Sequence, residues 1–182
     1  MKYLIATDIH GSAYYANKAV QKFQKYNAEQ LILLGDIYNH GPRNPFPKDY
    51  APMQVADTLN AIAAKVVAIK GNCDSEVDQM ISDFPFVSDY VLPLNNRRIY
   101  FTHGHVFNKL TPPTTATEGD VVFYGHFHVS EITENNGVIC VNVGSTSLPK
   151  DGKHVYCLLT DSAITIYDLI TDEVFLQYNF NA

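Results

Sequence analysis

The sequence of 182 residues has few cysteines and no long apolar run. Its three cysteines, Cys73, Cys140 and Cys157, are odd in number and far apart, which argues against a disulfide framework and against a Cys-x-x-Cys metal motif. This use of cysteine favours a reduced, cytoplasmic protein. No apolar stretch approaches the roughly 20 residues of a membrane span. Asp8 also interrupts the apolar N-terminus well short of a signal-peptide core. The sequence therefore predicts a cytoplasmic protein without a membrane partner.

An excess of basic residues is also missing. The formal net charge of −6 argues against broad electrostatic binding of DNA or RNA, which would require a basic face. We find no linker, internal repeat or low-complexity tract, and the length is that of one domain with a sizeable core. Residues 1–182 are therefore expected to form a single domain that does not bind a nucleic-acid polymer.

Five short apolar runs are each followed closely by residues that can bind a metal ion. The runs cover residues 4–6, 31–34, 66–69, 99–101 and 121–124. The side chains after them are Asp8, His10, Asp36, Asn72, His103, His126 and His128. Such runs predict buried strands, and ligands in open α/β sheets gather beyond the carboxyl ends of strands. Mixed oxygen and imidazole ligands suit borderline divalent metals, so the sequence predicts one site for two such ions.

The remaining pattern predicts helices in the first half and strands in the second. We expect helices over residues 12–27, with Ser12 as N-cap, over about 52–64 and over about 74–82. Further strands are expected at residues 98–102, 138–143, 154–160, 163–169 and 174–180, with a hairpin turn at Asn135-Asn136-Gly137. This order indicates two packed sheets with helices outside, an α/β or α+β sandwich.

In order and spacing, the motifs resemble those of the calcineurin-like metallophosphoesterases, and especially of their small, single-domain bacterial and archaeal phosphodiesterases. The resemblance runs over residues 3–147 and is carried by five motifs. They are Asp8-x-His10, Gly35-Asp36, Gly71-Asn72, His103-Gly104-His105 and Gly125-His126-x-His128. It implies a four-layer α-β-β-α sandwich, with two mixed β-sheets flanked by helices.

The resemblance also implies a ligand set and a reaction. Asp8, His10, Asp36 and His128 would hold a first metal, and Asp36 would bridge to a second metal held by Asn72, His103 and His126. A bridging carboxylate keeps two cations about 4 Å apart while lowering their repulsion. A hydroxide shared by the metals would attack phosphorus. Mn²⁺ is the first choice, with Zn²⁺, Fe and Ni²⁺ left open.

Three kinds of function are compatible with the sequence. The first is a metal-dependent phosphodiesterase (a phosphoric diester hydrolase) acting on small-molecule phosphodiesters. The second is a phosphomonoesterase or nucleotide pyrophosphatase using the same site. The third is a non-catalytic scaffold, as in the retromer subunit that shares the fold, although a scaffold has no reason to keep seven ligands. Association into a homo-oligomer is left open.

The chain departs from its superfamily at Cys73, where the usual motif has a histidine that protonates the leaving oxygen. A thiol beside two cations and a helix N-terminus is expected to have a lowered pKa. The enzyme would then favour substrates whose leaving group needs little protonation, such as aryl esters, or use His105 or water as the acid. Alternatively, Cys73 packs as an inert apolar residue. His105 could equally face solvent.

The proline-rich loop of residues 40–50 is expected to shape substrate specificity. Within it, Arg43 could pair with a phosphate oxygen through its planar fork, with an ordinary surface arginine as the alternative, and His40 is a second substrate-binding candidate.

Overall fold

Two β-sheets of seven and five strands lie face to face in the computed structural model, which describes residues 1–180. The helices are α1 (Ala13–Tyr26), α2 (Pro52–Asn60) and α3 (Glu76–Met80), with a 3-10 turn at Ala63–Lys65. The strands are β1 (Lys2–Ala6), β2 (Gln30–Leu33), β3 (Val66–Ile69), β4 (Phe86–Val87), β5 (Tyr90–Leu94), β6 (Arg97–Phe101), β7 (Val121–Tyr124), β8 (Glu131–Asn135), β9 (Val138–Asn142), β10 (Val155–Thr160), β11 (Ala163–Asp168) and β12 (Val174–Asn179).

The first sheet has the strand order β12-β11-β10-β1-β2-β3-β4. Strands β1 to β4 run parallel and are joined by crossovers that contain α1, α2 and α3, whereas β10, β11 and β12 pair antiparallel. Helix α1 begins at the predicted N-cap, where the hydroxyl of Ser12 accepts a hydrogen bond from the Tyr15 amide at 3.3 Å. Strand β1 is central in this sheet, because it pairs with parallel β2 on one side and with antiparallel β10 on the other.

The second sheet has the order β5-β6-β7-β9-β8 and is also mixed. Strands β6, β7 and β9 are parallel, while β5 and β8 are antiparallel edge strands. The predicted hairpin turn joins β8 to β9, with left-handed φ angles of 50° at Asn136 and 78° at Gly137. The two mixed sheets confirm the predicted α/β sandwich.

Alternation along β1 shows how the core is divided. Tyr3 and Ile5 face the other sheet, whereas Leu4 and Ala6 pack beneath the helices, because successive side chains of a strand point to opposite faces. Both faces of this strand are buried, which explains why its sequence is continuously apolar rather than alternating.

The outer face of the second sheet is covered by an irregular segment, residues 104–120, rather than by a helix. Ala116 of this segment packs against a small cluster that includes Tyr100, Val122 and Tyr124. Pro112-Pro113 explains the irregular backbone, since proline interrupts helical hydrogen bonding.

Helix α2 ends earlier than predicted, at Asn60. Across residues 1–180, no helix combines the length and the apolar composition that a bilayer crossing requires.

Candidate metal centre

The predicted ligands converge because the five strands before them end at one edge of the sandwich. Strands β1, β2 and β3 are parallel neighbours in the first sheet, and β6 and β7 are parallel neighbours in the second. Backbone hydrogen bonds continue beyond the strands, from the Asp8 amide to the Gly35 carbonyl at 3.1 Å and from the Gly125 amide to the His103 carbonyl at 2.8 Å. These bonds align the loops that carry six of the seven predicted metal ligands, and Asn72 lies on the loop after the neighbouring strand β3.

A left-handed backbone turns five of the ligands toward a common centre. These residues and their φ angles are Asp8 (53°), His10 (51°), Asp36 (53°), His126 (67°) and His128 (61°). Non-glycine residues at positive φ are uncommon and store backbone strain of about 1–3 kcal/mol each, which the surrounding fold must hold in place. Such strain clusters at functional sites, in agreement with the position of these loops.

Asp8, His10 and His128 form the first group of side chains. The Oδ1 atom of Asp8 lies 3.2 Å from His128 Nε2 and 3.7 Å from His10 Nε2. All three residues are buried. Burial alone would raise the pKa of Asp8, but the neighbouring His128, His103 and His10 rings lower it to about 2. The carboxylate is therefore ionised and available as a ligand at neutral pH.

Asp36 lies between the first group and a second one. Its Oδ2 atom is 3.9 Å from His10 Nε2, and its Oδ1 atom is 3.5 Å from His103 Nε2. On the far side, the Asn72 Oδ1 atom lies 3.0 Å from His103 Nε2, and the His126 ring lies 5.1 Å from the His103 ring. The structure thus places Asp36 where a bridging ligand would have to be.

Three imidazole rings are held with Nε2 toward the centre. The Nδ1 atoms of His10, His103 and His128 lie 2.7 to 2.8 Å from the backbone carbonyls of Asn39, Leu34 and Leu148, respectively. A carbonyl only accepts, so each Nδ1 donates an N–H and the ring turns its Nε2 toward the site, where Nε2 can offer a lone pair to a metal ion. This is the orientation that metal ligation requires.

The donor set fits divalent metal ions. Three overlapping groups of ligand atoms each lie within 4.8 Å of one another: Asp8 with His10 and His128, His10 with Asp36 and Cys73, and Asp8 with Asp36 and His103. In the described part of the chain, Asp8 Oδ1 is also a buried oxygen without a hydrogen-bond partner. A buried carboxylate oxygen that points at imidazole lone pairs gains a partner when a cation binds.

Asp74 holds the backbone of the site, and the sequence did not predict this role. Its carboxylate accepts hydrogen bonds from the amides of Asp36 at 2.8 Å, Ile37 at 2.8 Å and Gly71 at 2.7 Å. Burial raises the pKa of Asp74 to about 6, with a further contribution from Asp36 that these amides partly offset. The signal available in the sequence was its place two residues after Asn72 in the Gly71–Asp74 motif.

Two serines anchor the Asp8 loop from the far end of the chain. The hydroxyls of Ser145 and Ser147 donate to the Asp8 carbonyl at 3.0 and 2.9 Å, and the Thr146 amide donates to the Thr7 carbonyl at 2.9 Å. These residues follow β9, so the second sheet fixes the position of a ligand carried by the first.

A cavity of about 730 Å³, here called the metal cavity, opens over these ligands. Asp36, Asn72, His126 and His128 line it, together with Asn39, Gly41, Pro42, Arg43, Asn44, Cys73, Phe127 and Lys150. The structure therefore brings the predicted substrate residue Arg43 to the site. Phe127 and Lys150 were not predicted to line the site. Lys150 is a lone lysine after β9, which carries no local signal in the sequence.

The other predicted residues lie at the margin. The His40 ring packs 4.4 Å from the Phe46 ring and 5.4 Å from the Tyr50 ring, so it stiffens the loop beside the metal cavity rather than lining that cavity. His105 has an exposed side chain whose ring lies 5.3 Å from the His103 ring.

The lowered pKa predicted for Cys73 depended on two bound cations and on a helix N-terminus, whereas the protein groups by themselves act in the opposite direction. Burial and the Asp36 carboxylate raise the pKa of this thiol to about 12. Helix α3 begins only at Glu76, so its N-terminus lies too far along the chain to stabilise a thiolate at Cys73. The Cys73 amide instead donates to Asp36 Oδ1 at 2.8 Å.

Asp, Asn and His side chains at the strand ends of an α/β sandwich are the arrangement expected of a metallophosphoesterase, a metal-dependent hydrolase. Residues 1–163 match the calcineurin-like phosphoesterase superfamily domain, and the chain belongs to this superfamily. It is 38% identical to phosphodiesterase YfcE of Escherichia coli strain K12, over 100% of this chain and 99% of that protein.

Solved structures show the same fold. The structure of Yfce, a phosphoesterase from E. coli, superposes with a TM-score of 0.95 at 38% identity and covers 100% of both chains. Vacuolar protein sorting 29 from Cryptosporidium parvum superposes with a TM-score of 0.65 at 17% identity, covering 100% of this chain and 98% of that one, and this likeness concerns the fold alone.

Proposed function

We propose that this chain is a divalent-metal-dependent phosphodiesterase that hydrolyses small-molecule phosphodiesters at a two-metal site. The observation that carries the proposal is Asp36, which stands between a group formed by Asp8, His10 and His128 and a group formed by Asn72, His103 and His126. The full-length similarity to a phosphodiesterase of E. coli supports the same activity.

Each metal would be held by the residues named for it from the sequence. Asp8, His10, Asp36 and His128 would hold the first ion, and Asp36, Asn72, His103 and His126 the second. When bound, such ions stabilise charge on phosphoryl oxygens and lower the pKa of water so that it is a nucleophile at neutral pH. Mn²⁺ is our first choice, and Zn²⁺, Fe and Ni²⁺ suit the same mixed ligands.

The remaining residues of the metal cavity would bind and orient the substrate. Arg43 and Lys150 line it and bring two cationic groups to the phosphate, with Arg43 offering a planar fork for two oxygens. His40 would fix the loop that carries Arg43. Cys73 and His105 are the candidates for a proton donor to the leaving oxygen.

A small substrate is favoured over a polymer. The metal cavity, about 730 Å³, is within the size range of small-molecule sites. The net charge of −6 supplies no basic surface for a long nucleic acid. The free thiols of Cys73, Cys140 and Cys157 support a reducing location such as the cytoplasm.

Two alternative functions, a different phosphoester hydrolase and a non-catalytic scaffold, were also considered for this fold and site. A phosphomonoesterase or nucleotide pyrophosphatase would employ the same ligands and the same cations at Arg43 and Lys150. A scaffold is supported only by a likeness of fold to vacuolar protein sorting 29. The buried, unpartnered oxygen of Asp8 favours metal binding over a purely structural role.

Metal content and substrate preference, measured on the same preparation, test the proposal. The protein is stripped with EDTA, reloaded with Mn²⁺, Zn²⁺, Ni²⁺ or Fe²⁺, and analysed by inductively coupled plasma mass spectrometry. Rates are then measured on bis(p-nitrophenyl) phosphate and p-nitrophenyl phosphate. We expect two metal equivalents per chain and a higher kcat/KM on the diester. Hydrolysis of the monoester alone would support the second function, and two bound metals without hydrolysis of any phosphoester would contradict an enzyme.

A further inference from the structure

A second cavity of about 470 Å³ adjoins the metal cavity and shares one wall residue with it, Phe127. We call it the side cavity; its lining consists of Asn108, Lys109, Leu110, Tyr124, Phe127, Val129, Ser130, Glu131 and Asn142. Its volume falls within the range of small-ligand sites. The proposed metal chemistry makes no use of it.

Both walls of the side cavity begin at metal ligands. One wall is the segment that leaves His103 and reaches Leu110, and the other is the segment that leaves His128 and reaches Glu131. A molecule whose phosphate lies at the metal ligands therefore needs to extend only past Phe127 to enter the side cavity.

Phe127 is held in place between the two cavities. Left-handed backbone at His126 and His128 brackets it, and its amide donates to the Gly125 carbonyl at 2.8 Å. Its ring meets the Tyr124 ring edge to face at 6.2 Å and the His126 ring edge to face at 5.1 Å. Nevertheless 43% of its surface is exposed, so one face is free to contact a ligand.

The side cavity has a different chemical character from the metal cavity. Leu110 and Val129 are 79% and 41% exposed, which leaves apolar surface open to solvent. The charges at its rim cancel, because Lys109 Nζ lies 2.6 Å from a Glu131 carboxylate oxygen. The metal cavity instead presents the cations Arg43 and Lys150. The side cavity therefore suits an apolar group, and the metal cavity suits a phosphate.

We propose that the side cavity binds an apolar or aromatic ester arm of the phosphodiester whose phosphate occupies the metal cavity. Leu110, Phe127 and Val129 would contact this arm and determine specificity. The proposal rests on the proposed function for the position of the phosphate. It narrows the substrate class to small diesters that carry at least one apolar arm.

Binding of one-armed phosphonates to the Mn²⁺-loaded protein tests the side cavity without catalysis. Isothermal titration calorimetry compares 1-naphthylmethylphosphonate with methylphosphonate, so that the only difference is the apolar arm. We expect the naphthyl compound to bind wild-type protein about tenfold more tightly or better, since the arm leaves water for an apolar wall. Leu110→Asp and Val129→Trp should remove this preference and leave the methylphosphonate affinity unchanged.

Ile170→Asp is the matched control, because Ile170 is also half-exposed, at 47%, and lies outside both cavities. It should keep the naphthyl preference. Equal binding of the two phosphonates by wild-type protein, or a preference that survives in both side-cavity variants, would overturn the proposal and leave the proposed function standing. If neither phosphonate binds in the presence of Mn²⁺, the phosphate site itself is wrong and both proposals fail.

Discussion

The imidazole rings of His10 and His128 direct the same nitrogen at each other, with Nε2 atoms 3.2 Å apart across a sequence separation of 118 residues. Both Nδ1 atoms donate to backbone carbonyls, so two neutral rings would oppose their lone pairs. Burial would lower the pKa of His128, but Asp8 and the Leu148 carbonyl raise it, so a proton can occupy this position in place of a metal. A positive charge between the two rings, from a proton or from a metal ion, would relieve this opposition of lone pairs.

Metal removal should therefore destabilise the fold. With Mn²⁺ at 100 times its Kd, we expect a stabilisation of about 2.7 kcal/mol relative to the EDTA-treated protein, which raises Tm by about 5–11 °C for a chain of this size. Differential scanning calorimetry measures the shift. His128→Gln should reduce it, because the first ion loses a ligand, whereas His154→Gln, which alters a contact with Tyr15 at 2.8 Å, should retain it. An unchanged Tm in wild-type protein would contradict the metal assignment.

Asp36→Asn should be the most damaging conservative substitution. The amide keeps the shape of the side chain but removes the charge that would lie between the two ligand groups, so we expect loss of at least one metal equivalent and a fall in kcat/KM of about 100-fold or more. Metal analysis and hydrolysis of bis(p-nitrophenyl) phosphate measure both effects. Asp57→Asn, on the exposed side of α2, is the control. Two bound metals with wild-type rates would refute a bridging role.

Asp74→Asn should lower both stability and metal affinity. The carboxylate accepts from three amides, and an asparagine side chain has only one accepting oxygen, so at least one buried amide loses its partner at a cost of about 1–3 kcal/mol. Urea unfolding with EDTA present gives the stability, and Mn²⁺ titration gives the affinity. Asp83→Asn, an exposed position nearby, should change neither. A variant as stable as wild type would show that these hydrogen bonds are dispensable.

Cys73→His should help substrates with poor leaving groups. An imidazolium has a pKa nearer to neutral pH than an ordinary thiol and is therefore the better general acid. We expect the rate on an alkyl phosphodiester to gain about tenfold more than the rate on an aryl phosphodiester. Cys73→Ser, which supplies no such acid, serves as the comparison. The same change on both esters would argue that Cys73 has no part in proton transfer.

Asp172 gives a pH dependence that is separate from the metals. Burial would raise its pKa, but Lys22, Lys25 and Tyr156 lower it to about 2. A lowered pKa means that ionised Asp172 stabilises the fold above pH ~4 and that this contribution disappears as the pH falls toward 2. Asp172→Asn retains a residue suited to the left-handed φ of 62°, removes the charge and replaces one accepting oxygen with an NH₂ group.

With EDTA present throughout, Asp172→Asn should be about 1 kcal/mol less stable than wild type at pH 7. The difference should approach zero near pH 2, as measured by urea unfolding at several pH values. A difference that stays constant down to pH 2 would mean that the charge of Asp172 is not its source.

The convergence of the candidate ligands could be predicted from the sequence because each of them follows a short apolar run. Parallel strands bring such ends together, and Asp8, Asp36 and His103 therefore lie close even though no local signal pairs them. The division of these residues between a first and a second metal ion came from the family resemblance rather than from the strand pattern. The same regularity made the mixed-sheet sandwich predictable.

Residues without a strand-end position were not predictable in the same way. The role of Asp74 depends on amides of Asp36 and Ile37, which belong to a different strand connection. Lys150 and Phe127 reach the metal cavity through loops whose paths are set by tertiary contacts. The sequence pattern puts the start of α3 next to Cys73, whereas the helix begins only at Glu76, so its N-terminus does not act on the Cys73 thiol.

The hydrogen bonds from Ser145 and Ser147 to the Asp8 carbonyl join segments 137 and 139 residues apart. Because β1 also lies between β2 and β10, the amino-terminal ligand loop reaches its final position only after a strand from the last third of the chain has paired. Such distant contacts are costly to close and form slowly. Metal affinity should thus appear late in refolding, as a property of the completed sandwich that no amino-terminal fragment possesses.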